Sequence, residues 1–310
     1  MALDPQANEI LKEGAASGLP PVYLIKVKEA RERMRNSFIN KGVKEEIESV
    51  KDYSIPYPGS KLIARVYSPK PTNTLPCLLF FHGGGWTLND LDTHDNLCRA
   101  IAKKAEVVVV SIDYRLAPEY KYPAALEDSY TALTWVYFNA HILNIDVNKI
   151  AVGGDSSGGT QAAVLCHIAR DMNAPKIIYQ WLIYPVTDYY LPGSKSYIEI
   201  ERGYSMNRDF MIWFWNNYLP KDADLNDPYI CPLRATNFKD LPPAFIMTAH
   251  YDPLRDEGEA YGKKMEEAGV RVKVKRYEDQ MHGFILQTHR IDNARKAFEE
   301  GIEELKNAFK

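Results

Sequence analysis

The chain has 310 residues, of which 45% are hydrophobic and 25% are charged, a composition typical of a globular protein with a large core. Its formal net charge of −3 gives no sign of the basic surface that binds nucleic acid or anionic membranes. The longest apolar runs, 77–81 and 107–112, are far too short to span a bilayer and indicate buried strands instead.

The cysteines and the first residues bear on the cellular compartment. The four cysteines are widely spaced, without zinc-type Cys or His pairs: Cys77, Cys98, Cys166 and Cys231. None is flanked by the cations that would activate a thiol. The first residues lack the basic start and apolar stretch of a signal peptide. We therefore expect free, non-catalytic thiols in a reducing cytoplasm.

Apolar, β-branched runs alternate with helical patterns along most of the chain. The runs lie at 62–66, 78–81, 107–112, 150–152, 181–184, 244–248 and 272–277. The helical patterns lie near 96–104, 123–138, 160–172 and 257–268, and a final apolar face runs from Ile291 to Phe309. Short continuous apolar strands indicate burial on both faces. The pattern predicts an α/β fold with a mostly parallel, doubly wound sheet.

Two segments interrupt this alternation. Residues 1 to about 45 are helical and charge-rich, with an apolar stripe at Val27, Ala30, Met34 and Phe38. Residues from about 189 to 235 are unusually aromatic: Tyr197, Tyr204, Phe210, Trp213, Phe214, Trp215, Tyr218 and Tyr229. Single aromatic residues at helical spacing usually belong to a core. As a group, they predict a helical insertion packed on an apolar surface, such as a cap over an active site.

A nucleophile motif follows the apolar run at 150–152. The pentapeptide 154–158 reads Gly-Asp-Ser-Ser-Gly and precedes the helical pattern, which is the strand, G-x-S-x-G, helix order of a nucleophile elbow. The turn strains the backbone of Ser156, and the glycines on either side leave room for it. The helix N-terminus that follows directs free amides towards developing charge. Ser156 is therefore the predicted nucleophile.

A glycine-rich loop follows the strand at 78–81 and reads His82-Gly83-Gly84-Gly85-Trp86. Consecutive glycines let backbone N–H groups approach a substrate oxygen without obstruction. Such a loop forms an oxyanion hole together with the amide after the nucleophile, which predicts Gly83, Gly84 and Ser157 as donors. We expect His82 to hold the loop by hydrogen bonding.

The base should follow the acid, and the acid should follow the nucleophile. Four histidines follow Ser156 in the chain: His167, His250, His282 and His289. His282 lies in a loop after the strand at 272–277, where the carboxyl edge of the sheet could bring it to the serine. His167 lies on the helix after the elbow, His250 precedes the best acid, and His289 is close to a helix start. His282 is the predicted base.

Asp252 is the predicted acid that orients His282. It lies just beyond the strand at 244–248, and the proline that follows it stiffens the turn. Asp256 and Glu257 fall where a helix begins, and there acids favourably meet the helix dipole. Asp256 remains the alternative acid.

These motifs together resemble the hormone-sensitive-lipase-like (bacterial type IV) carboxylesterases. The resemblance rests on residues 82–85, 113–119, 154–159, 252–258 and 282–284, in the family's order. It implies one α/β-hydrolase domain over residues 1–310, with a cap from about 1–45 and about 189–235. Asp155 and the turn at 113–119 resemble features that brace the site. Ser157 departs from the family's more usual alanine, and its hydroxyl could add a hydrogen bond or compete with Ser156.

The resemblance implies hydrolysis of short- to medium-chain acyl esters through an acyl-enzyme, without a metal or organic cofactor. The expected partner is a small-molecule ester, with neither nucleic acid nor membrane insertion. The same residues could act on an amide, a lactone or a deacetylation substrate. A non-catalytic ligand receptor of the same fold is disfavoured because Ser156, Asp252 and His282 are all present. The strand at 272–277 could pair between subunits of a homodimer, but Lys273, Lys275 and Arg276 also resemble edge protection.

Overall fold

A computed structural model describes residues 2–39, 41–42, 44–57, 60–70 and 72–310, so Met1, Asn40 and Val43 of the predicted cap segment lie outside it. The strands in these ranges are β1 (Ser49–Tyr57), β2 (Ser60–Ser68), β3 (Leu75–Phe81), β4 (Val108–Asp113), β5 (Ile145–Asp155), β6 (Tyr179–Ile183), β7 (Ala244–Tyr251) and β8 (Val272–Met281). The α-helices are α1 (Pro5–Ala16), α2 (Val27–Phe38), α3 (Asp95–Ala105), α4 (Ala124–Phe138), α5 (Ala140–Leu143), α6 (Ser157–Asp171), α7 (Lys195–Glu199), α8 (Arg208–Tyr218), α9 (Arg255–Glu267) and α10 (Asp292–Ala308).

The strands form one sheet in the order β1-β2-β4-β3-β5-β6-β7-β8. Strands β3 to β8 are mutually parallel, whereas β1 and β2 pair antiparallel with their neighbours. Successive side chains of a strand point to opposite faces. Accordingly, Leu79 and Phe81 of β3 belong to one buried cluster, while Leu78 and Phe80 belong to the other. The sheet is covered on both faces, and the predicted α/β fold is confirmed.

Strand β1 is missing from the sequence prediction. Its segment carries the exposed residues Lys51 and Asp52 and also Pro56, which weakens a strand pattern. An antiparallel edge strand need bury only one face and therefore lacks the continuous apolar run of the central strands. The pairing with β2, from Ser49 with Ser68 to Tyr57 with Ser60, depends on contacts that local sequence does not encode.

The two irregular segments contact each other above the sheet. The ring of Tyr23, just before α2, packs edge-on against Phe210 of α8, with centroids 5.0 Å apart. The start of helix α1 lies beside strand β8, where the backbone N–H of Asp4 donates to the carbonyl of Asp279. The limits of the cap stay a prediction. Within the described ranges, no helix combines the length and the apolar character needed to cross a membrane.

Candidate active site

Three parallel strands place the predicted triad at one edge of the sheet. Strands β5, β7 and β8 end at Asp155, Tyr251 and Met281, and the next residues are Ser156, Asp252 and His282. Because the carboxyl ends of parallel strands lie at the same edge, residues far apart in the chain meet there.

The three side chains form a continuous hydrogen-bonded chain. His282 Nε2 lies 3.0 Å from Ser156 Oγ, and Nδ1 lies 2.6 Å from Asp252 Oδ2. The other carboxylate oxygen of Asp252 accepts the N–H of Leu254 at 2.9 Å. All three members are buried, Asp252 completely. With Nδ1–H directed to the carboxylate, Nε2 is free to take the serine proton, which is the arrangement of an activated hydroxyl nucleophile.

The backbone of the elbow explains its glycines. Ser156 has φ 55° and ψ −123°, a conformation rare for a residue with a side chain. Strand β3 runs beside β5, with Phe81 paired to Gly154. A Cβ on Gly154 would lie 2.5 Å from the carbonyl oxygen of Phe81, and one on Gly158 would lie 2.0 Å from the same oxygen. Only glycine permits this approach on both sides of Ser156.

The oxyanion prediction is wrong for Gly83. Its N–H donates to Asp155 Oδ1 at 2.8 Å and is not directed at a substrate. Among the residues that the structure describes, none accepts a hydrogen bond from the amides of Gly84, Gly85 or Ser157. The available donors are therefore these three, with Gly85 in the place assigned to Gly83. The sequence does not reveal that the Asp155 side chain turns back onto the loop.

The loop fits closely beneath helix α8. Gly84 has φ +120° and Gly85 has φ +58°, both in the region that disfavours a side chain. A Cβ on Gly85 would lie 2.0 Å from the ring of Phe214. The next residue, Trp86, stacks on Tyr218 of the same helix with ring centroids 4.1 Å apart and planes within 7°. The aromatic insertion thus packs directly on the oxyanion loop.

The Ser157 hydroxyl has a defined partner. It accepts the backbone N–H of Trp86 at 3.2 Å, and the side chain is completely buried. Of the two roles left open by the sequence, the structure shows the added hydrogen bond. The triad geometry around Ser156 involves His282 and not Ser157.

His82 holds the loop, as the sequence predicts. Its Nδ1 donates to the carbonyl of Gly83 at 2.8 Å, and its ring stacks on Tyr114 at 4.3 Å. Burial lowers the pKa of His82 to about 4, so the imidazole is neutral at pH 7. Tyr114 belongs to the turn at 113–119 and donates its hydroxyl to the carbonyl of His82 at 2.8 Å. That turn therefore braces the loop.

The remaining histidines after Ser156 lie in other environments. His167 Nε2 lies 3.0 Å from the hydroxyl of Tyr261, and His250 Nδ1 lies 3.0 Å from Glu278. His289 contacts the position of Gly42, where an added Cβ would approach its side chain to 2.8 Å. Each of these histidines therefore contacts residues other than Ser156, and none takes the place of His282.

The two acids at the start of α9 hold other segments. Asp256 Oδ2 accepts the N–H of Ser196 at 2.8 Å and so positions α7, which excludes it as the partner of His282. Glu257 accepts the N–H groups of Thr187 and Asp188, at 2.8 and 3.2 Å. Burial raises the pKa of Glu257 well above its ordinary value. Both acids lie in the first turn of α9, where the sequence places them, and each also holds a neighbouring segment through backbone N–H groups.

Three residues next to the triad or the elbow are not predicted from the sequence. The ring of Tyr184, a residue with φ 38°, lies 4.5 Å from the imidazole of His282. Ser205, in the aromatic insertion, donates its hydroxyl to the carbonyl of His282 at 2.8 Å. His94, before α3, lies 3.0 Å from Asp155. Tyr184 is the last residue of the predicted strand at 181–184, which is a weak signal, whereas the other two residues carry no local pattern.

Known proteins resemble this chain over most of its length. A family model described as alpha/beta hydrolase fold matches residues 78–286. The carboxylic ester hydrolase LipN of Mycobacterium tuberculosis is 43% identical over 242 residues, which cover 76% of this chain and 64% of LipN. The ethyl acetate hydrolase of Pseudomonas putida is 33% identical over 309 residues, covering 95% of each chain. A crystal structure of a hyperthermophilic esterase from Pyrobaculum calidifontis superimposes with a TM-score of 0.95 at 40% identity, covering 99% of each chain.

Proposed function

This chain belongs to the α/β-hydrolase family, among the hormone-sensitive-lipase-like carboxylic ester hydrolases, and on that premise we propose that it hydrolyses short- to medium-chain acyl esters with Ser156 as nucleophile. The predictions of the fold and of an ester hydrolase are confirmed at the level of the family. The assignment of the reaction to particular residues rests on one observation, the hydrogen-bonded chain from Ser156 through His282 to Asp252.

The proposed reaction has two steps. His282 takes the proton of Ser156 as the hydroxyl oxygen attacks the acyl carbonyl, and it then gives the proton to the leaving alcohol. Water, activated by the same imidazole, cleaves the acyl-enzyme and releases the acid and free serine. Asp252 holds the tautomer of His282 and stabilises its charged form. The negative oxygen of each tetrahedral intermediate accepts hydrogen bonds from the backbone N–H groups of Gly84, Gly85 and Ser157.

The proposed substrate size rests on the aromatic insertion. Phe214 and Trp215 are buried, and Phe214 packs against Gly85. Aromatic side chains beside the oxyanion loop favour a compact apolar acyl or alcohol group. The Pseudomonas putida relative is an ethyl acetate hydrolase, which supports a short ester as the substrate proposed here.

The experiment compares the wild type with Ser156→Ala on short-chain p-nitrophenyl esters. We expect kcat to fall by a factor on the order of 10⁴ or more, with an unchanged circular dichroism spectrum. An organophosphate should label the wild type at Ser156 and spare the variant. Near-normal turnover by Ser156→Ala would contradict the proposal.

The same assay separates the alternatives. An amide, lactone or deacetylase activity predicts higher kcat/KM on those substrates than on matched acyl esters. A non-catalytic receptor predicts neither turnover nor organophosphate labelling in the wild type. The intact triad supports catalysis over the receptor.

We also propose a cytoplasmic location and keep the homodimer as a prediction. The four cysteines are buried and unpaired, which suits a reducing compartment. Strand β8 is at the edge of the described sheet, where a second copy could pair. Its cations already bind acids on the helices, since Lys273 and Lys275 contact Glu300 and Arg276 contacts Glu259. Sedimentation velocity at several concentrations would decide the oligomeric state.

A further inference from the structure

We propose that His94 is a positioning residue for the oxyanion hole, held as an imidazolium in a buried ion pair with Asp155. The inference rests on the proposed function, because it names what holds the loop that would stabilise the oxyanion. His94 takes no part in the triad and carries no local sequence signal.

His94 lies between two polar partners in a fully buried site. Its exposed fraction is 0%, and that of Asp155 is 3%. Nε2 lies 3.0 Å from Asp155 Oδ1, and Nδ1 lies 2.9 Å from Thr93 Oγ1. Both ring nitrogens are therefore within hydrogen-bond distance of an oxygen.

The hydroxyl of Thr93 cannot donate to His94. It has one proton, and its oxygen lies 2.7 Å from the carbonyl oxygen of Asp90, a group that only accepts. The proton must lie between these two oxygens. The 2.9 Å contact with Nδ1 then requires a proton on Nδ1, since two lone pairs would otherwise face each other.

The second nitrogen faces a carboxylate. Burial alone would raise the pKa of Asp155, but the nearby His94 and the N–H of Gly83 outweigh burial and lower it. One proton lies between Nε2 and Asp155 Oδ1, and the N–H of Gly83, which donates to the same oxygen at 2.8 Å, favours the ionised carboxylate, so we place this proton on Nε2. With a proton on each nitrogen, His94 is an imidazolium, and its charge balances a carboxylate that would otherwise be buried alone.

The ion pair acts on the loop through one oxygen. Asp155 Oδ1 accepts two hydrogen bonds, one from Nε2 of His94 and one from the backbone N–H of Gly83. The Gly83 bond fixes the start of the segment whose next two amides, those of Gly84 and Gly85, are the proposed oxyanion donors. Without His94, the Asp155 carboxylate would lose its counter-charge and its fixed rotamer, and the loop would lose its alignment.

The protonation state can be measured on the wild-type protein. With ¹⁵N-histidine labelling, seven histidines give few enough signals to assign His94 by its absence in His94→Gln. We expect one-bond N–H couplings at both ring nitrogens of His94 near pH 7. A coupling at only one nitrogen would overturn the ion pair. This readout does not depend on enzymatic activity, so it stands apart from a failure of the proposed function.

The positioning role needs kinetic variants. His94→Leu should lower kcat by about 10- to 100-fold, less than the loss of a full oxyanion donor, with KM within about threefold. A boronic acid inhibitor, whose tetrahedral adduct needs the same amides, should weaken by the same factor as kcat/KM. His94→Gln, which keeps an N–H donor for Asp155, should recover most of the loss. His167→Gln removes another buried histidine, which forms a hydrogen bond with the hydroxyl of Tyr261, and should retain wild-type kcat.

Two results would overturn the positioning role: wild-type kcat in His94→Leu, or a loss of kcat without weaker boronic acid binding. If His94→Leu does not fold, His94→Gln and the wild-type spectrum still decide the matter. Absence of ester turnover and of organophosphate labelling in the wild type would instead reject the proposed function.

Discussion

The backbone N–H of Trp86 donates to the hydroxyl of Ser157 at 3.2 Å. The residue after the nucleophile therefore has two functions in the proposed site: its amide remains available to the substrate, and its side chain holds the loop that supplies the other donors. An alanine at this position would supply the amide but not the hydroxyl.

Ser157→Ala should cost stability more than catalysis. Removing the hydroxyl leaves the buried N–H of Trp86 without its acceptor, at a cost of about 1–3 kcal/mol in the free energy of unfolding. The amide of residue 157 remains, so we expect kcat to fall by less than about tenfold. Urea denaturation and steady-state kinetics measure the two effects. A loss of kcat as large as that of Ser156→Ala would contradict this division.

Gly85→Ala should disrupt the oxyanion hole. The added Cβ would lie 2.0 Å from the ring of Phe214, so either the loop or helix α8 must shift. We expect kcat to fall by about 10² to 10³, the effect of losing one oxyanion donor. Gly18→Ala is the matched control, because Gly18 has a similar φ of +64° with nothing within 4 Å of an added Cβ.

The clash at Gly85 can also be relieved. In the double variant Gly85→Ala, Phe214→Ala the ring is gone, and part of the lost kcat should return. The same low kcat in the single and double variants would show that backbone strain, and not the ring, is responsible.

Replacing Asp252 or Asp256 by asparagine should have very different effects on kcat. Asp252→Asn would favour the wrong tautomer of His282 and should lower kcat by a factor on the order of 10⁴. Asp256→Asn keeps an oxygen that can accept the N–H of Ser196, so kcat should stay within a few-fold of wild type. Stopped assays near pH 7, with melting temperatures as a control for folding, compare the pair. Equal losses would reopen the assignment of the acid.

Glu257→Gln should change how stability depends on pH. Burial raises the pKa of Glu257, so the folded state binds this proton more tightly than the unfolded chain does. Stability then falls as pH rises from the unfolded pKa to the folded pKa, with a slope of at most about 1.4 kcal/mol per pH unit. Glutamine carries no such proton and should remove this fall. Melting temperatures from pH 5 to 9 measure the difference, and parallel curves for the two proteins would contradict it.

Glu300→Gln is a control for which the pH dependence of stability should change in the opposite direction. Burial would raise the pKa of Glu300, but hydrogen bonds from Lys275, Lys273 and Tyr277 outweigh burial and lower it. Its contribution is therefore present above the unfolded pKa and is lost as pH falls through the folded pKa. Glu300→Gln should lower stability at neutral pH and should have little effect in acid.

The sequence predicts the fold well where strands are buried on both faces. Strands β3 to β7 contain continuous apolar runs because a parallel sheet covered by helices buries most of their side chains. Strand β1 is missed because an exposed antiparallel edge has no such run. The triad is predictable for a related reason, since strand ends in a parallel sheet meet at one edge whatever their separation in the chain.

The sequence by itself determined the fold class, the elbow at Ser156, the chain order of the predicted base and acid, and the glycine loop, because each depends on local residue type and on strand periodicity. The tertiary structure decided which glycine amides are available, what the Ser157 hydroxyl binds, and that His94 lies against Asp155. Each of these features depends on a hydrogen bond between residues that are 61 to 72 positions apart in the chain and that come together only on folding. A hydrogen bond over that separation leaves no periodic or neighbouring trace in the sequence.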